Sequence, residues 1–197
     1  MKVWLVRHGE SEANLLNILY NRGEKYGLTQ NGIEQVNKLL LELKDIEIHK
    51  IYSSPLLRAK ETARIIADEW NLDFEITRAL REFDVGILDE TGDESTFQKE
   101  QEIVDQWLID KKWDVKFEDG ESYNEIKERF LQFLESLKMK ADENIVLVSH
   151  GGLIQCMVPF ICDNLSFAYC YKKLLKNAEY ALLEINEDKI KCIKYGE

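Results

Sequence analysis

Long apolar runs, flexible linkers and repeats are missing from this sequence. The first apolar run, Val3 to Val6, stops at Arg7, which makes it too short for a signal peptide or a transmembrane helix. No Pro- or Gly-rich linker, internal repeat or low-complexity tract divides the 197 residues. We therefore expect a cytoplasmic protein without a membrane partner, folded as a single domain over residues 1–197.

Positive charge is also scarce. The chain has 26 Lys and Arg residues against 37 Asp and Glu residues, a net charge of −11. This balance argues against nucleic-acid partners and anionic membranes, because both need a basic surface. The interval from Glu82 to Glu121 contains 14 acidic residues, four lysines and no arginine, so it holds nearly all of the excess. By itself such a segment is typical of a solvated insertion.

Disulfide and metal patterns are absent as well. The four cysteines stand at positions 156, 162, 170 and 192 and form no C-x-x-C pair. Without an export signal we expect reduced thiols, with Cys156 and Cys162 in the core. The sequence has no H-E-x-x-H motif and no second close His or Cys ligand beside its histidines. We expect no metal site and no cofactor.

The spacing of apolar residues predicts strands that alternate with helices. Strands are predicted at 2–7, 50–53, 72–77, 144–149, 180–185 and 189–195, with a turn at 186–188. Helices are predicted at 30–43, 54–70, 95–108, 122–139 and from Gly151 onward. The predicted helix starts are Thr29 as a cap, Ser54 followed by Pro55, and a capping box of Ser122 and Glu125. This order predicts an α/β fold with a mixed sheet between two layers of helices.

Two of the three histidines stand in the same context. His8 and His150 each follow an apolar strand and precede a glycine. Ligands of α/β sheets bind beyond the carboxyl ends of the strands, so both histidines are predicted to point towards a site. A single histidine in this position is more often structural, and it is the repeated context that favours a site. His49 lacks the context and is interpreted as a surface or structural residue.

The neighbouring residue types favour an anion at that edge. Arg7 adjoins His8, and Arg58 stands in the first turns of a helix that follows a strand. Guanidinium groups suit phosphate oxygens, and the helix opened by Gly151 presents free N–H groups to an anion. The competing interpretation of Arg58 is a solvent-facing residue paired with Glu61 or Glu69.

Five blocks resemble, in order, the histidine phosphatase superfamily, whose members are the phosphoglycerate mutase-like proteins. They are Leu5-Val6-Arg7-His8-Gly9-Glu10-Ser11-x-x-Asn14, Leu28-Thr29-x-x-Gly32-x-x-Gln35, Tyr52-Ser53-Ser54-Pro55-Leu56-x-Arg58-Ala59-x-x-Thr62-Ala63, Leu80-x-Glu82-x-x-x-Gly86 and Val146-x-Val148-Ser149-His150-Gly151-Gly152. Gly120-Glu121-Ser122 also matches a block of the smaller phosphatases. The resemblance covers essentially the whole chain. It implies a three-layer α/β/α sandwich with a mostly parallel sheet, in which an acidic insertion at about 83–121 overhangs the site.

The resemblance also implies a role for each matched residue. His8 is expected to be the nucleophile and Glu82 the proton donor, in a reaction without metal on a small phosphorylated metabolite. The competing interpretation of Glu82 is an ordinary acidic surface residue. The expected phosphate and substrate contacts are Arg7, Asn14, Asn17, Arg58, His150 and Gly151.

One block departs from the family. Its members commonly have tryptophan and glycine where this chain has Leu88 and Glu90. The preferred interpretation is a phosphatase that forms a phosphohistidine. The alternatives are a phosphoglycerate-type mutase, which needs extra positive charge to retain a bisphosphate, and a non-catalytic phosphate-binding module. The arginine-free insertion and the few residues after Tyr195 favour the phosphatase.

The acidic insertion gives an expectation about selectivity. If it forms the rim of the pocket, leaving groups that are neutral or cationic should be preferred over carboxylated or bisphosphorylated ones, because like charges repel. If its acids face the solvent, salt screening removes this effect.

Overall fold

A mixed sheet forms the centre of the computed structural model, which describes residues 1–137, 143–186 and 189–197. Its strands are β1 (Lys2–Arg7), β2 (Lys50–Ser53), β3 (Phe74–Ile76), β4 (Asn144–Ser149), β5 (Tyr180–Ile185) and β6 (Ile190–Tyr195). They lie in the order β3-β2-β4-β1-β5-β6. The first four are mutually parallel, and β5 and β6 are antiparallel additions at one side. The predicted mixed, mostly parallel sheet is confirmed.

Helices cover both faces of the sheet. They are α1 (Glu12–Leu15), α2 (Gln30–Leu43), α3 (Leu57–Trp70), α4 (Glu94–Leu108), α5 (Tyr123–Leu137), α6 (Gly151–Ile161) and α7 (Phe167–Lys172). Successive residues of β1 alternate between two cores, because neighbouring side chains of a strand point to opposite faces. Val3 and Leu5 pack with residues of α4, α5 and α6, whereas Trp4 and Val6 pack with residues of α2 and α3. The fold is the predicted three-layer α/β/α sandwich.

Local capping rules account for the helix starts that the sequence predicts well. Thr29 Oγ1 accepts a hydrogen bond from Gly32 N at 2.9 Å at the start of α2. Before α5, Ser122 N donates to Glu125 Oε2 at 2.7 Å and Glu125 N donates to Ser122 Oγ at 3.3 Å, as in a capping box. The predicted end of α5 near Met139 lies outside the described residues.

The predicted start of α3 is wrong. The helix begins at Leu57 with Leu56 as its N-cap, not at Ser54 and Pro55. The Ser54 hydroxyl is instead within 2.7 Å of His150 Nε2, and it accepts a weaker hydrogen bond from Leu56 N at 3.3 Å. The hydroxyl that local rules assign to a helix cap thus contacts His150, which is distant in the sequence.

Other boundaries differ because turns use residues that the predictions gave to strands. Asn71 ends α3 in the left-handed conformation, and Leu72 N returns to Ala67 O at 2.9 Å, so β3 is shorter than the predicted 72–77. Thr77 caps a 3₁₀ turn. Helix α4 begins one residue earlier than predicted, at Glu94, and β6 one residue later, at Ile190. The predicted hairpin turn includes residues 187 and 188, which lie outside the described residues.

The sequence analysis also missed two helices, α1 and α7. Both are short, and neither has the apolar period of a longer helix. All four cysteines are buried and free, in agreement with the expected reduced thiols. No helix in the described ranges has the length and apolar character needed to cross a membrane.

Gly86 holds the acidic segment in place after Glu82. Its φ is +60°, and a Cβ atom there would lie 1.7 Å from the Glu118 carbonyl oxygen. Ile87 N donates to that same oxygen at 3.0 Å, so the backbones of the two loops are in direct contact. Only glycine fits this close approach.

We predict that Gly86→Ala lowers the free energy of unfolding by about 2 kcal/mol or more, because it adds a left-handed alanine and a backbone clash. Asp119→Gly is the matched control: this exposed residue has φ +57° and should tolerate glycine with little change. Urea unfolding of both variants measures the difference. Equal stabilities would contradict the close approach.

Candidate active site

Parallel pairing of β1 with β4 brings the two His-Gly blocks together. Arg7 lies opposite Ser149 in the register of the two strands. The next residues, His8 and His150, therefore leave the sheet side by side, with ring centroids 5.1 Å apart. His8 N also donates to Ser149 O at 3.0 Å, which continues the pairing past the strand ends. The predicted convergence at the carboxyl edge is present.

The hydrogen bonds of His8 define its tautomer. Nδ1 lies 2.7 Å from Gly9 O, and a carbonyl oxygen can only accept, so Nδ1 carries the proton. Nε2 lies 3.0 Å from Arg58 Nε, and a guanidinium can only donate, so Nε2 carries the lone pair. The ring is therefore neutral, with its nucleophilic nitrogen on the arginine side.

Burial is the largest cause of this neutral state. His8 is 3% exposed, and its pKa lies well below the usual 6.5. Loss of hydration disfavours the imidazolium most, followed by the positive charges of Arg58 and Arg7, while the Gly9 carbonyl opposes the shift. Burial therefore outweighs both arginines as a cause of the lowered pKa.

Arg58 lies inside the protein, so its interpretation as a solvent-facing residue is wrong. Its side chain is buried beside His8, and its other donors reach Tyr20 O at 2.8 Å and Asn21 Oδ1 at 3.4 Å. Burial lowers the pKa of Arg58 to about 10. Asn21 in turn donates to Phe83 O at 2.9 Å, which joins this support to the chain beside Glu82. Nothing in the sequence pattern marks Tyr20 and Asn21 for this role.

Arg7 is held by the loop that follows α7. One of its terminal nitrogens donates to Leu175 O at 2.5 Å, whereas its Nε is buried with no hydrogen-bond partner among the described residues. Asn177 Nδ2 donates to His8 O at 3.2 Å. Since α7 was not predicted, neither contact could be anticipated. The unpartnered Nε is a donor that an anionic ligand could satisfy.

Glu82 is buried, which removes its interpretation as a surface residue. Its two carboxyl oxygens accept from Phe83 N at 3.1 Å and from Gly152 N at 2.9 Å. The pKa of Glu82 is nevertheless raised, because loss of hydration outweighs these bonds and the charge of Arg58. Gly152 leaves room for this arrangement, since a Cβ atom there would lie within 3.0 Å of both carboxyl oxygens.

His150 is buried beside His8. Its Nε2 is 2.7 Å from Ser54 Oγ, and its Nδ1 is buried without a partner among the described residues. Burial lowers the pKa of His150 well below its usual value, with further contributions from Arg58 and His8. The side chain is therefore neutral. The sequence blocks contained Ser54 but gave no sign of this pairing.

A cavity of about 440 Å³ opens beside His8. It is lined by these predicted site residues: Arg7, His8, Asn14, Arg58, Glu82 and Gly151. His150 does not line it, and neither does Asn17, which is exposed and has φ +50°. The remaining predicted residues thus converge on one cavity, and Asn17 does not join them.

Asn14 presents a free donor at this cavity. Its Oδ1 accepts from Ser11 N at 3.1 Å, from Ser11 Oγ at 3.1 Å and from Asn177 Nδ2 at 3.3 Å. These bonds assign the amide orientation and leave Nδ2 without an acceptor in the described part of the chain. An N–H group is therefore available to an oxygen of a ligand.

No group of three or more His, Cys, Asp and Glu residues among those described is arranged to hold a metal ion. His49 lies at the opposite end of β2 from the cavity, where its Nδ1 accepts from Asn144 N at 3.1 Å. This contact agrees with its interpretation as a structural residue.

The acidic segment is tied to the body of the protein by arginines from outside it. Arg22 Nε contacts Asp84 Oδ1 at 2.8 Å, and Arg129 Nε contacts Glu121 Oε1 at 2.9 Å. Arg129 also donates to the Glu82 carbonyl at 3.4 Å. Of the 14 acids between Glu82 and Glu121, only Glu82 and Glu100 line the cavity. The segment reaches the site, but with a single carboxylate beyond Glu82.

Comparisons with known proteins agree with this geometry. The family model of the histidine phosphatase superfamily (branch 1) matches residues 3–197. The probable phosphoglycerate mutase GpmB of Enterobacter sp. (strain 638) is 31% identical over 189 residues, which cover 95% of this chain and 86% of that protein.

Solved structures share the fold at lower identity. The α-ribazole phosphatase from Shigella flexneri has a TM-score of 0.82 at 24% identity, over 100% of this chain and 96% of that one. A mutant phosphoserine phosphatase from Entamoeba histolytica, in complex with phosphoserine, has a TM-score of 0.81 at 24% identity, with the same coverage. With the family model matched over nearly its whole length, this chain belongs to the histidine phosphatase superfamily.

Proposed function

We propose that this protein is a metal-independent phosphatase that hydrolyses a small phosphomonoester through a phosphohistidine intermediate on His8. The observation that carries the proposal is the neutral His8 ring, whose Nε2 lone pair lies at a cavity lined by Arg7 and Arg58. A neutral imidazole is a nucleophile, whereas an imidazolium is not. Two guanidinium groups suit the oxygens of a phosphoryl group.

In the first step, the lone pair of His8 Nε2 forms a bond to phosphorus while the bond from phosphorus to the leaving oxygen breaks. Arg58 Nε, which holds that lone pair in the free enzyme, turns to a phosphoryl oxygen when substrate enters. Arg7 Nε and Asn14 Nδ2 supply further donors. Charge on the equatorial oxygens is stabilised by these groups, as phosphoryl transfer requires.

Glu82 carries the proton. Burial raises its pKa, which favours the protonated form that can donate to the leaving oxygen. The resulting carboxylate then takes a proton from water, whose oxygen attacks phosphorus and breaks the P–N bond. Inorganic phosphate leaves, and His8 and Glu82 return to their starting states.

The charge of the cavity supports the phosphatase over the mutase. The matched relative carries the name of a phosphoglycerate mutase, so that reaction is the main alternative. A mutase must retain a bisphosphate, yet Arg7 and Arg58 are the only cationic side chains of the described residues that line the cavity. The non-catalytic alternative is less favoured, because His8, Glu82 and both arginines are all present. Turnover of a generic aryl phosphate separates it from the two enzymes.

The state of His8 predicts an NMR result. Because its pKa lies well below 6.5, His8 should remain neutral, with Nδ1 protonated, as the pH falls through 6.5. Nitrogen chemical shifts of labelled imidazoles measure both the tautomer and the protonation state, and the spectrum of His8→Asn assigns the signal. An imidazolium at pH 6.5 or a proton on Nε2 would exclude the proposed nucleophile.

Replacing the nucleophile should abolish covalent catalysis. We expect His8→Ala to lower kcat for p-nitrophenyl phosphate by several orders of magnitude. His49→Ala, which changes a histidine outside the cavity, should keep the wild-type rate. The wild type should keep its activity in EDTA and form an acid-labile phosphoenzyme that His8→Ala does not form. Near wild-type turnover of His8→Ala, or loss of wild-type activity on chelation, would refute the mechanism.

Substitution of the proton donor should depend on the leaving group. Alkoxides are poor leaving groups and need protonation, whereas p-nitrophenolate does not. Glu82→Gln should therefore lower kcat/KM for alkyl phosphates much more than for p-nitrophenyl phosphate. Glu118→Gln, an exposed acid of the same segment, is the control. Equal losses on both substrates would assign Glu82 a structural role only.

A further inference from the structure

Glu100 is a carboxylate that the proposed mechanism does not use. It lies on α4, is half-buried and lines the same cavity as His8 and Glu82. Within the described residues, no hydrogen bond or ion pair involves its carboxyl group. Most acids of this segment face the solvent, and several others are paired with cations. Glu100 is neither solvent-facing nor paired.

The surroundings of Glu100 explain its unusual state. Burial and the negative charge of Glu82 raise the pKa of Glu100 to about 7. A charge in such a place costs free energy unless a partner of opposite sign arrives. A ligand that carries a positive group would remove this cost.

Neither arginine of the cavity serves as that partner, because neither forms an ion pair with Glu100 and neither contributes to its pKa. Arg58 is bonded to His8 Nε2 and to Tyr20 O, and Arg7 is bonded to Leu175 O. No lysine of the described residues lines the cavity. The positive charge is thus confined to the His8 end, and the α4 wall presents a carboxyl group without a counter-ion.

The wall that carries Glu100 is braced by other contacts. Asp105 Oδ1 accepts from Gln101 Nε2 at 2.7 Å and from the Tyr171 hydroxyl at 2.6 Å, which ties α4 to α7. These neighbours use their polar groups on one another and leave Glu100 as the free acceptor. Val104, one turn along α4, adds an apolar surface to the same wall.

We infer that Glu100 binds an ammonium group on the leaving group of the substrate, so that the enzyme prefers phosphomonoesters of amino alcohols. This inference rests on the proposed phosphatase function and adds a specificity-determining residue to it. The phosphoryl group occupies the arginine end, and the cationic end of the substrate lies against α4. A carboxylate or second phosphate at that position meets Glu100 instead of a cation and is repelled.

The test compares ω-aminoalkyl phosphates with ω-hydroxyalkyl phosphates of matched chain length. For at least one length, the wild type should show kcat/KM about ten- to a hundred-fold higher for the amino member, the range of a charged hydrogen bond. Glu100→Gln should remove this preference. Glu102→Gln makes the same chemical change on an exposed position of α4 and should keep it.

Further measurements distinguish the possible failures. Glu100→Gln removes an unpaired, half-buried charge, so it should melt no lower than the wild type, and lost preference cannot then be ascribed to unfolding. A wild type without preference, or a preference that survives in Glu100→Gln, overturns the ammonium site while turnover of p-nitrophenyl phosphate upholds the phosphatase.

If no phosphate ester is turned over, the proposed function fails. Calorimetric binding of ω-aminoalkyl and alkyl phosphonates to wild type and Glu100→Gln then decides the inference about Glu100 alone.

Discussion

A buried guanidinium beside a neutral imidazole is the constraint on which the site depends. Arg58 Nε donates to His8 Nε2, and both side chains are buried. Burying a cation is costly, so its other donors are bonded to Tyr20 O and Asn21 Oδ1. Those contacts bring the loop after α1 against α3. The arrangement keeps His8 uncharged and places two guanidinium groups near it, where an anion can bind.

Two buried nitrogen atoms near His8 have unsatisfied hydrogen-bonding capacity. Arg7 Nε and His150 Nδ1 have no hydrogen-bond partner among the described residues. Buried polar groups are rarely left in this state, because each lost bond costs about 1–3 kcal/mol. A phosphoryl group supplies several acceptor oxygens at once. Arg7 lines the cavity, so an anion bound there can supply an acceptor to its Nε, whereas His150 does not line the cavity.

The acidic segment owes its position to charges from outside it. Composition gives its net charge but not its partners. Arg129 contacts both Glu121 and the Glu82 carbonyl, and Asp84 N donates to Glu121 Oε2 at 2.9 Å. Glu82, the proposed proton donor, is thus held by an ion pair that spans the start of α5. Asp84 and Glu121 thus stabilise the backbone of the segment, whereas most of its other acids face the solvent.

The features that could be predicted from the sequence are those that depend on residues close together in the chain. Strands and capped helices depend on neighbours a few residues apart, and β1, α2, β2 and β4 have their predicted bounds. The shared context of the two His-Gly blocks also predicted that His8 and His150 meet at the carboxyl edge of the sheet, where their rings lie 5.1 Å apart. Contacts between residues far apart in the sequence could not be predicted. The Ser54 hydroxyl contacts His150 instead of capping α3, and the Arg58 side chain is buried beside His8. Local departures can be explained afterwards, as with Glu90, which takes φ +61° where the family commonly has glycine and pairs with Lys25 at 3.2 Å.

The distribution of charge within the cavity connects the fold to the class of substrate. Arg7 at the end of β1 and Arg58 in the first turn of α3 lie at one end, where Arg58 is bonded to His8 and both can receive a phosphoryl group. Helix α4 closes the other end and brings Glu100 without a counter-ion. A substrate with negative charge at both ends would match only the first of these, whereas one with a phosphate and an ammonium group would match both. The polarity of the cavity thus favours hydrolysis of a zwitterionic monoester over the retention of a bisphosphate.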